Sequence, residues 1–233
     1  SRRPDRTTRP EPDVKLLLTS DGITNDGIRT TLVRLLGKPI EESAALCIPT
    51  AEYGHSWCTP GSAWRFVSGA DSMVGLGWRS VGLLELTAIP SMGSDRWVDW
   101  VREADVLLVD GGDATYLCHW MRESGLADLV PALDSTVWVG VSAGSMVMTP
   151  RIGADFVVWD PPSGDDRTLG VVDFSIFPHV GHPDMPENTM AAAEAWAASI
   201  GGAAYALDDQ SAIVVADGTV EVVSEGIWRH FPG

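Results

Sequence analysis

The stretch VWVGVSAGSMVMTP, residues 137–150, runs an apolar segment into Gly140-Val141-Ser142-Ala143-Gly144 and then into a short apolar pattern with helical spacing. Residues 136–141 read as a buried strand and 143–148 as the opening of a helix, so Ser142 falls at a tight strand-to-helix turn. Such a turn forces the serine backbone into a strained conformation, and only small neighbours such as Gly140, Ala143 and Gly144 let the chain segments pass. The hydroxyl is then held clear of the sheet, beside the unbonded N–H groups of the following turn. That geometry suits a nucleophile. On its own, Gly-x-Ser-x-Gly is unspecific, because a serine that merely caps a glycine-rich helix start gives the same letters.

Outward from this turn the chain alternates. Short apolar runs at 14–19, 44–49, 82–87, 104–112 and 136–142 are separated by segments of helical periodicity at 24–36, 59–70, 94–102 and 114–133. Alternation of this kind predicts an α/β fold, a mostly parallel sheet with helices on both faces, whose active site forms at the carboxyl ends of the strands. After the turn the rhythm changes to VVDFSIFPHVGH (171–182), an alanine-rich helix expected over 187–200, and AIVVADGTVEVV (212–223). Asp217-Gly218 between alternating apolar residues is a strong hairpin signal, so the C-terminal part reads as an antiparallel meander. There is no internal repeat.

With 233 residues, 45% hydrophobic and 21% charged, the chain suits one domain over 13–233 preceded by a flexible segment, 1–12, rich in arginine and proline. Its net charge of −16 argues against a nucleic-acid partner, the more so because Arg2, Arg3, Arg6 and Arg9 lie in that first segment. Membrane association is not expected, since no apolar stretch approaches the roughly 20 residues that span a bilayer. Lack of a signal-peptide pattern, with three cysteines in no metal spacing, suggests a reducing cytoplasm. Cys47 and Cys118 read as core residues and Cys58 as a loop thiol.

A serine nucleophile needs a base, and the five histidines are His55, His119, His179, His182 and His230. His179 is the best placed, because FSIFPH breaks an apolar run at Pro178 and sets the imidazole at a strand end, as Ser142 is set. His182 and Asp184 give the same loop a metal-binding look, but Gly181, Pro183 and Pro186 prevent a helical ligand pair, and a plain surface loop is the preferred reading. For the carboxylate that orients the base, Asp208, Asp209, Asp155, Asp160 and Asp173 all qualify, and spacing does not choose among them. One oxyanion donor is the N–H of Ala143, and a second can come from Asp110-Gly111-Gly112-Asp113 at the end of the adjoining strand.

These segments together resemble the aspartyl dipeptidase (dipeptidase E) family of serine peptidases. VDGGDATYLCHWMRESGL (109–126) is similar to its Gly-Gly-Asn-Thr segment, GVSAGSMVMTP (140–150) to its nucleophile segment, FPH (177–179) to its histidine segment and DDQSA (208–212) to its late acidic turn. The resemblance runs in order over roughly residues 14–231. It implies a class I glutamine amidotransferase-like (flavodoxin-like) fold and cofactor-free cytoplasmic hydrolysis of small peptides; separately, a monomer or homodimer without a metal is expected. By position it assigns Ser142 as nucleophile, His179 as base, Gly112 and Ala143 as oxyanion donors and Asp209 as the third member, with Asp160 in reserve.

Two departures bear on specificity. Asp113 stands where the family has asparagine, and the arginine expected after the histidine is missing from 180–200. Strict N-terminal aspartate selectivity is therefore not expected, and Asp113 becomes a candidate contact for a substrate ammonium or, equally, a cap for the helix from Ala114. The alternatives to a dipeptidase are a cyanophycinase-like exopeptidase and a non-catalytic, amidotransferase-like binding protein.

Overall fold

The computed structural model describes residues 14–69 and 73–233; the segment 1–12 expected to be flexible lies outside them. Seven strands form one sheet in the order β3-β2-β4-β5-β1-β8-β9. Five of these, β1 (Lys15–Thr19), β2 (Ala44–Ile48), β3 (Ser80–Leu83), β4 (Val106–Val109) and β5 (Val137–Val141), pair in parallel. The hairpin of β8 (Ser211–Ala216) and β9 (Thr219–Ser224) adds to β1 in the antiparallel sense. It closes through Asp217 and Gly218, whose φ values of 51° and 70° are the pair of positive angles such a turn demands.

Period-two alternation divides the buried strand residues between two cores. Leu16, Leu18, Leu107, Val109 and Trp138 face one cluster, and Leu17, Val106, Leu108, Val137 and Val139 face the other. The first cluster takes Trp97 and Val101 of α3 (Arg96–Glu103) and Leu117 and Met121 of α4 (Ala114–Ser124). The second takes Ile28, Leu32 and Leu35 of α1 (Asp26–Leu36) and Phe66 of α2 (Pro60–Val67). Helices thus cover both faces.

Local chemistry sets the boundaries. Asn25 and Thr59 cap α1 and α2, their side chains accepting from Ile28 N and Ser62 N. The helical pattern of 114–133 breaks at Gly125, whose φ of 85° ends α4, and resumes as the short α5 (Leu126–Leu129). The strand expected at 82–87 lies two residues earlier, because β3 is an exposed edge while the buried Leu84 and Leu86 belong to the segment beyond it. The late helix, α7 (Met190–Ile200), begins only after Thr189, which accepts from Ala192 N.

The C-terminal strands are antiparallel at β8–β9, but β7 (Ala204–Leu207) and β10 (Trp228–Phe231) leave the large sheet. They join β6 (Ser175–Phe177) in a three-stranded sheet, β10-β7-β6, against which α7 packs Trp196, Ala197 and Ile200. The turn 208–210 therefore carries the chain from the small sheet into the large one. Among the described residues no helix is long and apolar enough to cross a membrane.

Candidate active site

The loops that follow β1, β2, β4 and β5 of the large sheet and β6 of the small one converge. After β5, Ser142 has φ 48° and ψ −107°, a region that a residue with a Cβ rarely occupies. The turn is closed by glycines: a Cβ on Gly140 would lie 2.3 Å from Gly144 O, and one on Gly144 2.3 Å from Val109 O. Hydrogen bonds pin it, with Ser142 N donating to Thr19 O at 3.0 Å and the buried Ser145 hydroxyl lying 2.8 Å from both Thr19 O and Gly140 O. The Ser142 side chain caps nothing in the one-turn α6 (Ala143–Met146) that it precedes, so the capping explanation of this serine fails.

After β6, His179 is 9% exposed and has φ 58°. Its Nδ1 lies 2.7 Å from Oδ1 of Asp209, in the turn between β7 and β8. The loop after β1 fastens both residues: Ser20 Oγ accepts from His179 N at 3.3 Å and donates to Leu207 O, while Thr24 Oγ1 donates to Asp209 O at 2.6 Å. Neighbouring Asp208 is spent on its own turn, accepting from Gln210 N, Ser211 Oγ and Ile227 N. Asp160, the reserve for the third position, is exposed and lines a separate surface depression with Arg151 and Asp166.

After β4, Gly112 has φ 130°, and a Cβ there would lie 2.2 Å from Ala51 O and 2.6 Å from Glu52 N. Asp113 N donates to Ala51 O at 2.9 Å, so this loop lies flat against the one after β2. Within the described residues, no hydrogen bond uses the N–H of Gly112 or of Ala143.

Asp113 takes the second of its two expected roles, the helix cap. Only 1% exposed, it accepts from Tyr116 N and Thr115 Oγ1 through Oδ1 and from Val158 N and Trp159 N through Oδ2. Four donors saturate the carboxylate, which caps α4 and ties down 158–159, leaving it nothing to offer a substrate.

Ser142, His179 and Gly112 border two lobes of one cleft. The polar lobe, about 360 Å³, is lined also by Glu52, Asp21, Asp110, Arg65 and His182. The apolar lobe, about 510 Å³, is lined by Met146, Ile152, Phe156, Val158, Phe177 and Trp196, with Asp155, Asp184 and Glu187 also contributing to its wall. Trp57, stacked on His55 with ring centroids 3.8 Å apart, borders both. Burial lowers the pKa of His55, against the smaller opposing pull of Asp113 and Glu52. Among the described residues no three His, Cys, Asp or Glu side chains are grouped to hold a metal ion.

The model of peptidase family S51 matches residues 16–223. The chain belongs to peptidase family S51. That is the family its motifs resemble, and membership places it among serine-type peptidases. One curated relative of this S51 member, the peptidase E of Streptomyces coelicolor (strain ATCC BAA-471 / A3(2) / M145), is 37% identical over 86 residues, a match spanning 35% of each chain. The chain thus matches about a third of that relative's length. A crystallised candidate peptidase E from Listeria monocytogenes EGD-e shares the fold with a TM-score of 0.66 at 19% identity, covering 91% of this chain and 99% of that one. A peptidase from an acI-B1 Actinobacterium also has a TM-score of 0.66, at 16% identity over 94% of both chains.

For this S51 member the structure brings together Ser142, His179, Asp209, Gly112 and Ala143, sets Asp160 in a separate depression, and turns the Asp113 carboxylate onto α4 and 158–159. Two residues of or behind the site, Ser20 and Glu52, escaped the sequence reading, and a third was placed differently. His182, read as a surface residue, lines the polar lobe, its Nε2 3.8 Å from Asp209 Oδ2. Ser20 supports His179, and Glu52 lies in a short 3₁₀ helix, Thr50–Gly54, that carries no recognisable motif.

Proposed function

We propose that the chain is a serine peptidase that hydrolyses dipeptides or short peptides, with Ser142 as nucleophile, His179 as general base and Asp209 as the carboxylate that orients it. The observation that carries this is the 2.7 Å contact between His179 Nδ1 and Asp209 Oδ1 at the edge of the cleft that also exposes Ser142. With its proton on Nδ1, His179 donates to Asp209 and keeps Nε2 free to accept the serine proton. Ser142 Oγ then attacks the carbonyl carbon of the scissile bond. The developing oxyanion accepts from the N–H groups of Gly112 and Ala143, and His179 returns the proton to the departing amine. In the second half-reaction His179 deprotonates water, which attacks the acyl-enzyme and releases Ser142.

Nothing in this sequence of steps draws on a metal or cofactor. The unspent hydroxyl, the positive φ of Ser142 and the two N–H groups support the assignment together, because each is costly or unused in a turn that is only structural. A fluorophosphonate tests the reading. Covalent modification at Ser142, lost in His179→Ala, is the expected result; an inert Ser142 in the folded protein refutes it and favours a binding protein that keeps the elbow without turnover.

A further inference from the structure

Glu52 is a cleft carboxylate without a part in the steps above. It is only 8% exposed, and its side chain lines the polar lobe beside Ser142, Gly112 and His179. Among the described residues its carboxylate takes no hydrogen bond and no ion pair; its backbone N–H and C=O are spent on Pro49 and His55. Its oxygens open onto the lobe and not onto the chain, so the carboxylate is free to meet a cation that enters the cleft. Asp21 and Asp110 line the same lobe, and Arg65 is the lysine or arginine among its lining residues, with no ion pair to Glu52.

Position identifies the cation. Glu52 N would lie 2.6 Å from a Cβ on Gly112, so the Glu52 backbone is packed against one of the two donors that would bind the oxyanion. In a peptide with a free amino end, the α-nitrogen of the first residue is about 2.5 Å from its carbonyl carbon, by bond lengths alone. A lysine ammonium stands at the end of a flexible four-carbon stem and has no such fixed relation to the reacting carbon.

Resting on the hydrolase reading, we propose that Glu52 binds the free α-ammonium of the residue on the acyl side of the scissile bond. The enzyme is thereby restricted to removing the first residue of peptides with an unblocked amino end. The contact is a charge-assisted hydrogen bond inside a largely buried site, which orients the carbonyl toward Ser142 as well as attracting the substrate.

The test uses two covalent probes that need no peptide turnover, diphenyl 1-amino-2-phenylethylphosphonate and diphenyl 2-phenylethylphosphonate. In both, Ser142 Oγ attacks phosphorus and phenoxide leaves; only the first carries the amine. Labelling rates at Ser142 are read by mass spectrometry in the wild type, Glu52→Gln and Glu52→Asp; the ratio of amine to amine-free rates cancels changes in Ser142 reactivity, and comparing that ratio between proteins cancels the intrinsic reactivity of the probes. Glu52→Gln is expected to lower that ratio roughly 10- to 100-fold, the loss of one charge-assisted hydrogen bond, and Glu52→Asp to restore part of it. In the wild type the ratio should also fall as pH rises through the pKa of the probe's own ammonium, found by titrating the free probe.

An unchanged ratio in Glu52→Gln, with Ser142 still reactive, overturns this inference and leaves the hydrolase reading standing. A Ser142 inert to both probes and to a fluorophosphonate overturns the two together. Because the carboxylate has no partner among the described residues, the thermal midpoint of Glu52→Gln should hold; a fall shows the carboxylate to be structural and also overturns the inference.

Discussion

His179 and Asp209 meet at 2.7 Å from two different sheets: His179 ends β6 of the small sheet, and Asp209 lies in the turn through which the chain enters the large one. Ser142 belongs to the large sheet alone. The pair is held there by the loop after β1, through Ser20 and Thr24, so the two sheets share one clamp at the catalytic end. The relationship makes the C-terminal strands part of the candidate site, since their crossing places the carboxylate.

Ser142→Ala is expected to fold and to lose activity by a factor on the order of 10⁴ to 10⁶, the range for removal of a triad nucleophile. Retention of more than a tenth of wild-type activity would refute the nucleophile assignment. The backbone adds a second expectation. Holding a residue with a Cβ at φ 48° costs about 1–3 kcal/mol, whereas glycine gives back only about 0.5–1 kcal/mol of unfolded-state freedom. Ser142→Gly should therefore be inactive yet more stable by about 1 kcal/mol, a rise of roughly 2–4 °C in Tm. A lower Tm than that of Ser142→Ala counts against strain at this turn.

Asp209→Asn removes the charge that stabilises the imidazolium and leaves an amide that can favour the wrong tautomer of His179. Activity should fall on the order of 10³- to 10⁴-fold. Asp160→Asn, by contrast, alters an exposed side chain in a separate depression and should stay within about twofold of wild type, as surface changes do. The two variants are compared by kcat/KM on one dipeptide; a larger loss in Asp160→Asn places the third member wrongly.

The cysteines should be spectators. Burial pushes the Cys118 thiol up to about 11, and Cys58 is also raised by burial and by nearby Glu52. A thiol loses its proton only as pH approaches its pKa, so at pH 8 about one Cys118 in a thousand is thiolate, and its reactivity stays suppressed throughout pH 6–9. Iodoacetamide at pH 7.5 should leave activity intact and modify Cys118 only after unfolding. Inactivation that tracks alkylation of Cys58, at the rim beside Trp57, is the result that contradicts this.

The residues legible in the sequence were those whose local pattern is their function. Ser142 sits in a turn that only small neighbours permit, Gly112 in a loop with no room for a Cβ, and His179 at a strand end marked by Pro178. The runs that build β1, β4 and β5 were legible too, since strands buried on both faces read as unbroken apolar segments. Asp209 was not separable from Asp208 or Asp160 by spacing, because the choice depends on where the chain crosses between sheets. Asp113 was open between two roles until the peptide groups of 158–159 were seen to converge on it. Glu52 left no signal at all: its place in the cleft depends on packing against Gly112, a contact between loops that follow different strands.

The last prediction concerns the first side chain of the substrate. An N-terminal aspartate requires a cation to offset desolvation of its second charge, and residues 180–200 contain no arginine. Arg151 and Arg167, the nearest candidates in sequence, are committed elsewhere: Arg151 is paired with the buried carboxylate of Asp166 at 3.0 Å, and the exposed Arg167 approaches Asp165. Arg65 does line the polar lobe, but it shares it with Glu52, Asp21 and Asp110, so the lobe offers an acidic side chain no net positive field. The other lobe is walled by Phe156, Phe177, Val158 and Trp196, surfaces that favour a large apolar side chain. Asp-Leu should therefore be cleaved no better than Ala-Leu or Lys-Leu. Leu-Leu should exceed Ala-Leu by roughly tenfold, as expected from burying three more carbons at about 0.8 kcal/mol each with imperfect fit. N-acetylation of any of them should abolish cleavage. Initial rates across this small panel decide the matter: a marked preference for Asp-Leu sinks the prediction, and its disappearance in Arg65→Ala would then show that an arginine on α2 has taken the role of the one missing after His179.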